Sequence, residues 1–342
     1  MIRISSVTRS VPWAPSATES IDDAPQLVWR ASAGRGMSSL PSVSSRVTLV
    51  TSTDRWVYAL DTRSGAVFWR RRGDGAFAAG AVAGGGRVFV ASEGTGGRVT
   101  ALRLSNGGRI WQTLIGDVSA PLTLRDSVVY GVNDQGVTFA LGAARGHAIW
   151  ERSTGPSRSG PLVTAAHVVV ATLRDSLIVL DRQTGTIVGT FRLPAATAAP
   201  LALLDDTTIV LSSPEGSMHA VHFQSGRVRW SVQAGEPLPG SPVVHGDTVF
   251  ALGGSCTLIR VPHHAAVVRR DSVADCVTVG APLVLRDGVL VATVSGSITY
   301  ISRATGTVDW TRHIGGAVRH PPVVRDRQIV LAMLSGEILG FR

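Results

Sequence analysis

The sequence predicts an all-β fold, an eight-bladed β-propeller of four-stranded antiparallel blades, and three observations predict it. A tryptophan beat runs the length of the chain: Trp29, Trp69, Trp111, Trp150, Trp230 and Trp310, with lapses at Gly189 and Arg269, keep intervals of 39 to 42 residues. A glycine stands four residues ahead of most beats, at Gly65, Gly107, Gly146, Gly185, Gly226 and Gly306. Runs rich in β-branched residues, such as Val168-Val169-Val170 and Val289-Leu290-Val291, fill the intervals. A period near 40 residues that persists over a whole chain marks an architecture in which one small unit stacks on copies of itself.

Taken in order, residues 1–24 fall outside the period, are polar and contain Pro12 and Pro15, so they read as a flexible lead-in. Residues 25–342 then form one domain, opening on a single strand, Gln26-Leu27-Val28-Trp29-Arg30, that has a beat but no unit ahead of it. Complete units follow, most of them opened by a proline: Pro41, Pro121, Pro161, Pro200, Pro242 and Pro282. The best-preserved unit, Pro282 to Gly316, parses as four strands with turns at Arg286-Asp287-Gly288, Ser295-Gly296-Ser297 and Arg303-Ala304-Thr305-Gly306. Gly and Asp accept the positive φ of tight reversals, and four such strands make one blade. The last unit opens at Pro322 and ends at Arg342 on GEILGFR, its third strand. The first strand is therefore expected to complete the last blade, pairing 26–30 with 336–341 and leaving no free edge at the seam.

Strands apolar on successive positions expect cover on both faces, as stacked blades provide. The periodic indoles are then wedges between blades, each ring buried and each N–H needing a backbone acceptor.

Composition excludes several function classes. The net charge of +9 comes entirely from arginine, dispersed except for Arg70-Arg71-Arg72, without the clustered basic stripe of a nucleic-acid binder. No run of 18 apolar residues encodes a membrane span. The opening MIRISSVTRSVPWAPS lacks the apolar core of a signal peptide, which leaves a cytoplasmic location and a removed export signal both open. Cys256 and Cys276 sit in one unit, where a hairpin centred on His263-His264 sets Cys256 opposite residue 271. A disulfide and two separate buried thiols both remain open.

No catalytic constellation emerges, and no metal or cofactor is expected. His263-His264 lies in a turn with no carboxylate or thiol at ligand spacing, and reads as solvent-facing. His219 and His222 point to opposite faces of a strand. Gly84-Gly85-Gly86 joins two strands and lacks the helix N-terminus of a phosphate cradle.

The phrase VYALDTRSGAVFW at 57–69, echoed at 178–185 and 302–310, resembles the pyrroloquinoline-quinone-type propeller repeat of the eight-bladed quinoprotein dehydrogenases. Within that superfamily the size, the opening QLVWRASAG and the closing GEILGFR are most similar to the BamB family of outer-membrane β-barrel assembly lipoproteins. The resemblance implies a non-catalytic periplasmic scaffold, single-copy in a larger complex, that binds the POTRA domains of the barrel-inserting subunit through loops on one face. A partner-facing loop of that family matches Gly155-Pro156-Ser157-Arg158-Ser159-Gly160 here, which keeps an arginine, Arg158, but no leucines. The family's lipid-bearing cysteine and the quinoproteins' vicinal cysteine pair are both missing from the chain. A quinoprotein dehydrogenase and a sensory or ligand-binding propeller stand as the alternative readings.

Overall fold

The computed structural model describes residues 21, 24–34, 36–37, 40–94, 96–264, 267–273, 277–278, 280–318 and 320–342. Among these, every regular element is a β-strand, and the strands form eight antiparallel sheets of four. Blade 1 comprises Ser42–Val43, Val47–Thr51, Trp56–Asp61 and Val67–Arg72; blades 2 to 7 repeat that order through the strand Val308–His313. The innermost strands are two to four residues long, whereas the two middle strands of each blade are long and almost wholly buried. Middle strands lie between neighbouring blades on both faces, which is why their sequences do not alternate.

Blade 8 closes the ring as expected. Val323–Arg325, Gln328–Ala332 and Glu337–Phe341 supply three strands and Leu27–Ser32 the fourth, with Leu27 opposite Phe341 and Ser32 opposite Glu337. Reciprocal backbone bonds between Gln26 and Arg342 extend the pairing by one step. Arg30 also reaches Glu337 at 2.9 Å across the seam, and the innermost strands of blades 1 and 8 touch.

Ile21, four residues ahead of the expected domain start, is buried in the apolar cluster between blades 7 and 8, with Tyr300, Leu331 and Phe341. The rest of the expected lead-in, apart from Ala24, lies outside the described residues. Eight apolar clusters hold the ring together, most of them uniting strands of adjacent blades.

Antiparallel order sorts the loops onto two faces. One face carries the turns between first and second strands and between third and fourth. The other, the link face, carries the turns between second and third strands and the links from one blade to the next.

Candidate functional site

The blade boundaries are built on one repeated contact. The indoles of Trp29, Trp69, Trp111 and Trp150 each lie on the glycine of the next blade's outer turn: a Cβ on Gly107 would stand 2.6 Å from the Trp69 ring, and one on Gly185 only 2.5 Å from Trp150. These turn glycines adopt φ near +70°, a left-handed conformation in which a side chain is strained. The indole N–H then donates to the carbonyl just beyond the third strand of that blade. Trp29 bonds Thr62, Trp69 bonds Leu104, Trp111 bonds Ala143, Trp150 bonds Arg182 and Trp230 bonds His263, all at 2.8 to 3.0 Å.

For five of the six tryptophans the residue paired on the same blade's third strand is small; Trp310 faces Tyr300 instead. Ala59, Ala101, Ala140, Ala220 and Gly340 hold that position opposite Trp69, Trp111, Trp150, Trp230 and Trp29.

The two lapses are filled in different ways. At Gly189 the ring comes from Phe191, two residues on and therefore on the same side of the strand. It folds back over the missing side chain and packs on Gly226. At Arg269 the paired residue is Arg260 instead of Ala, and its guanidinium takes the place of the indole. Arg260 donates to the carbonyl of Arg303 at 2.9 Å, pairs with Asp271 at 2.6 Å and lies beneath Gly306. A flat hydrogen-bonding cation thus replaces a flat hydrogen-bonding aromatic ring.

Trp310 departs from the rule at the seam. Its ring stacks on Tyr300 at 5.5 Å, but its N–H has no acceptor among the described residues. Elsewhere the acceptor lies 32 to 35 residues after the tryptophan. From Trp310 that count reaches Arg342, whose carbonyl oxygen already accepts from Gln26.

On the link face, Arg158 stands between Ser157 and Ser159, both buried with their hydroxyls 3.1 Å apart. Pinning the flanking residues inward directs the exposed Arg158 outward, and it has no side-chain partner among the described residues. A leucine stands beside this loop on a neighbouring hairpin. Leu173, 47% exposed in the central turn of blade 4, donates its N–H to the carbonyl of Pro156 at 2.8 Å, and the exposed Arg174 follows it. Sequence reasoning along one loop misses this pair, because hydrogen bonding between separate turns creates it. Blades 2 and 3 make the adjoining surface acidic: burial, then the charges of Asp134 and Asp117, raise the carboxyl of Glu93 above its ordinary value.

The remaining candidates are structural. Cys256 is fully buried and carries no free thiol. The blade 6 hairpin is registered two residues later than expected, since its turn is longer: Leu258, not Cys256, faces Asp271, and the carbonyl of Cys256 accepts from Val273. Cys276 lies outside the described residues, so its bond to Cys256 remains a proposal. His263 is half-buried, contrary to the solvent-facing expectation, because its Nε2 approaches the carbonyl of Leu204 at 3.1 Å. His219 is buried between Ser217 and Ser231, each 2.8 Å away, and burial lowers its pKa. Among the described residues no group of three or more His, Cys, Asp or Glu side chains could hold a metal ion, and no helix is long and apolar enough to cross a membrane.

Comparison with known proteins agrees with this architecture. The chain is 25% identical to the outer membrane protein assembly factor BamB of Burkholderia pseudomallei over 329 residues, covering 76% of this chain and 83% of that protein. The crystal structure of BamB from Moraxella catarrhalis superposes with a TM-score of 0.78 at 14% identity, covering 93% of this chain and all of that one. The quinohemoprotein alcohol dehydrogenase of Comamonas testosteroni superposes with a TM-score of 0.72, also at 14% identity, over 93% of this chain and 76% of its own. At such identities the two superpositions speak for the fold alone. The family model described as outer membrane protein assembly factor BamB matches residues 20–131 and 174–267, more than half of the chain, and the chain therefore belongs to the BamB family.

Proposed function

We propose that this chain is a non-catalytic scaffold for outer-membrane β-barrel assembly, working in the cell envelope, and that its link face docks the POTRA domains of the barrel-inserting subunit. Family membership supports the assembly role. The observation that carries the docking face is the placement of Arg158 beside Leu173 and Arg174, an exposed apolar anchor flanked by two cations on rigid turns. A ring of eight interlocked blades holds these turns still before contact, so little conformational freedom is lost on docking. Arginine is among the residue types that dominate interface energetics, and the exposed Leu173 adds apolar area between the two cations.

The test is co-purification of the barrel-inserting subunit from envelope extract with the tagged chain. Arg158→Glu and Leu173→Asp should each abolish recovery while leaving the thermal melt in place. Recovery unchanged in both variants would remove this face from the proposal. The quinoprotein alternative is tested separately: quinone with calcium should elicit no dye-linked dehydrogenase activity from a scaffold.

A further inference from the structure

Most of the large apolar side chains left exposed lie on the outer strands of the blades, each of which is hydrogen-bonded along one edge only. Every outer strand also carries arginine, whereas carboxylates are confined to those of blades 3, 6 and 7, at Glu151, Asp271 and Asp309.

The two features are strongest together at the seam. On the outer strand of blade 8, Leu27 and Val28 are 41% and 53% exposed; on that of blade 1, Val67 and Phe68 are 50% and 45% exposed. The strands are neighbours, since Trp29 of the first packs on Gly65 in the turn that leads into the second. Beyond the buried Trp69, the blade 1 strand ends in the exposed Arg70, Arg71 and Arg72, none of which has a carboxylate partner among the described residues. Arg70 lies over the ring of Trp56, 5.0 Å from its centroid. Asp74, two residues past Arg72, takes a hydrogen bond from Gln112 of blade 2 instead.

We infer that the rim formed by blades 8 and 1 rests side-on against an anionic phospholipid surface. Unpaired cations beside exposed apolar side chains fit a surface that is negative at its headgroups and apolar just beneath them. Residues advance about 3.3 Å along a strand, so the arginine row begins about 7 Å from Phe68. Phe68 and Val28 dip between headgroups while the long arginine side chains reach the phosphates. These side chains project from the convex rim of the ring, a shape to which a fluid lipid surface moulds itself. The contact goes beyond the assembly role and leaves the link face open to a protein partner.

The test is cosedimentation of the full chain with vesicles of phosphatidylcholine alone or of phosphatidylcholine and phosphatidylglycerol in equal parts, at about 0.15 M salt. Binding to the mixed vesicles alone is expected. An arginine near such a surface is worth about a fivefold factor, so Arg70→Gln, Arg71→Gln and Arg72→Gln together should weaken binding about a hundredfold. The net charge of +9 itself attracts anionic vesicles, so a matched variant is needed. Arg192→Gln, Arg227→Gln and Arg269→Gln together remove the same charge from the rim of blades 4 to 6 and should weaken binding less than about threefold. Phe68→Ser leaves the charge unchanged and should weaken binding about fivefold. All of the replaced side chains are exposed, and thermal melts confirm that the variants fold. No binding to the mixed vesicles, equal binding to phosphatidylcholine alone, equal losses in the two triple variants, or full affinity in Phe68→Ser overturns the inference.

Discussion

Arg260 donates to the carbonyl of Arg303 at 2.9 Å, the hydrogen bond that an indole makes at five other blade boundaries. The guanidinium is almost buried and its Asp271 partner is 18% exposed. Removing one partner of such a pair strands the other, so Arg260→Ala and Asp271→Asn should each cost about 3 kcal/mol in urea unfolding. Arg260→Ala combined with Arg269→Trp recreates the small residue opposite a tryptophan and should be more stable than Arg260→Ala alone. A double variant no better than the single would show that the guanidinium does not stand in for the ring.

The tryptophans should differ among themselves. Trp111→Ala and Trp150→Ala remove wedges that are packed and hydrogen-bonded, at about 3–5 kcal/mol each. Replacement by phenylalanine isolates the N–H: Trp150→Phe loses a bond to Arg182, whereas Trp310→Phe loses none. The first should cost about 1 kcal/mol more than the second in matched urea melts. Equal costs would mean that the N–H of Trp310 finds an acceptor in solution.

Gly340 tests the seam. A Cβ there would sit 2.0 Å from the Trp29 ring, so Gly340→Ala must displace the strand Leu27–Ser32. The expected result is a lower melting temperature with early proteolytic cleavage near residue 30 while the other blades stay protected. A single cooperative transition without early cleavage would show that the last blade cannot open alone.

Acid should weaken the fold through His219. Burial lowers its folded pKa below the unfolded value of 6.5, so the unfolded chain binds the proton more readily. The contribution is complete above pH 6.5 and declines as the pH falls from there toward the folded pKa. Unfolding free energies at pH 7.5 and 5.5 should therefore show a loss that is smaller in His219→Gln. An identical loss in both proteins would assign the effect to other groups.

The ring and its seam were legible in the sequence because both rest on spacing, and spacing survives when individual residues change. Trp29 and GEILGFR could be matched across the whole chain because each lacks what the other supplies. The lapse at Arg269 was visible, but what fills it was not, since Arg260 reaches the site from a partner strand nine residues upstream. A signal did exist: alanine or glycine stands opposite the tryptophans at 59, 101, 140, 220 and 340, and arginine at 260. Arg158 could be picked out along its loop, whereas Leu173 joins it only through a hydrogen bond between separate turns.

The pairing of Arg30 with Glu337 spans 307 residues of chain. A ribosome or a translocation channel releases the head of this molecule long before its tail, so for most of that time strand Leu27–Ser32 has nothing to pair with. Circle closure therefore cannot precede the release of strand Glu337–Phe341, and until then the edge of strand Leu27–Ser32 lacks its partner.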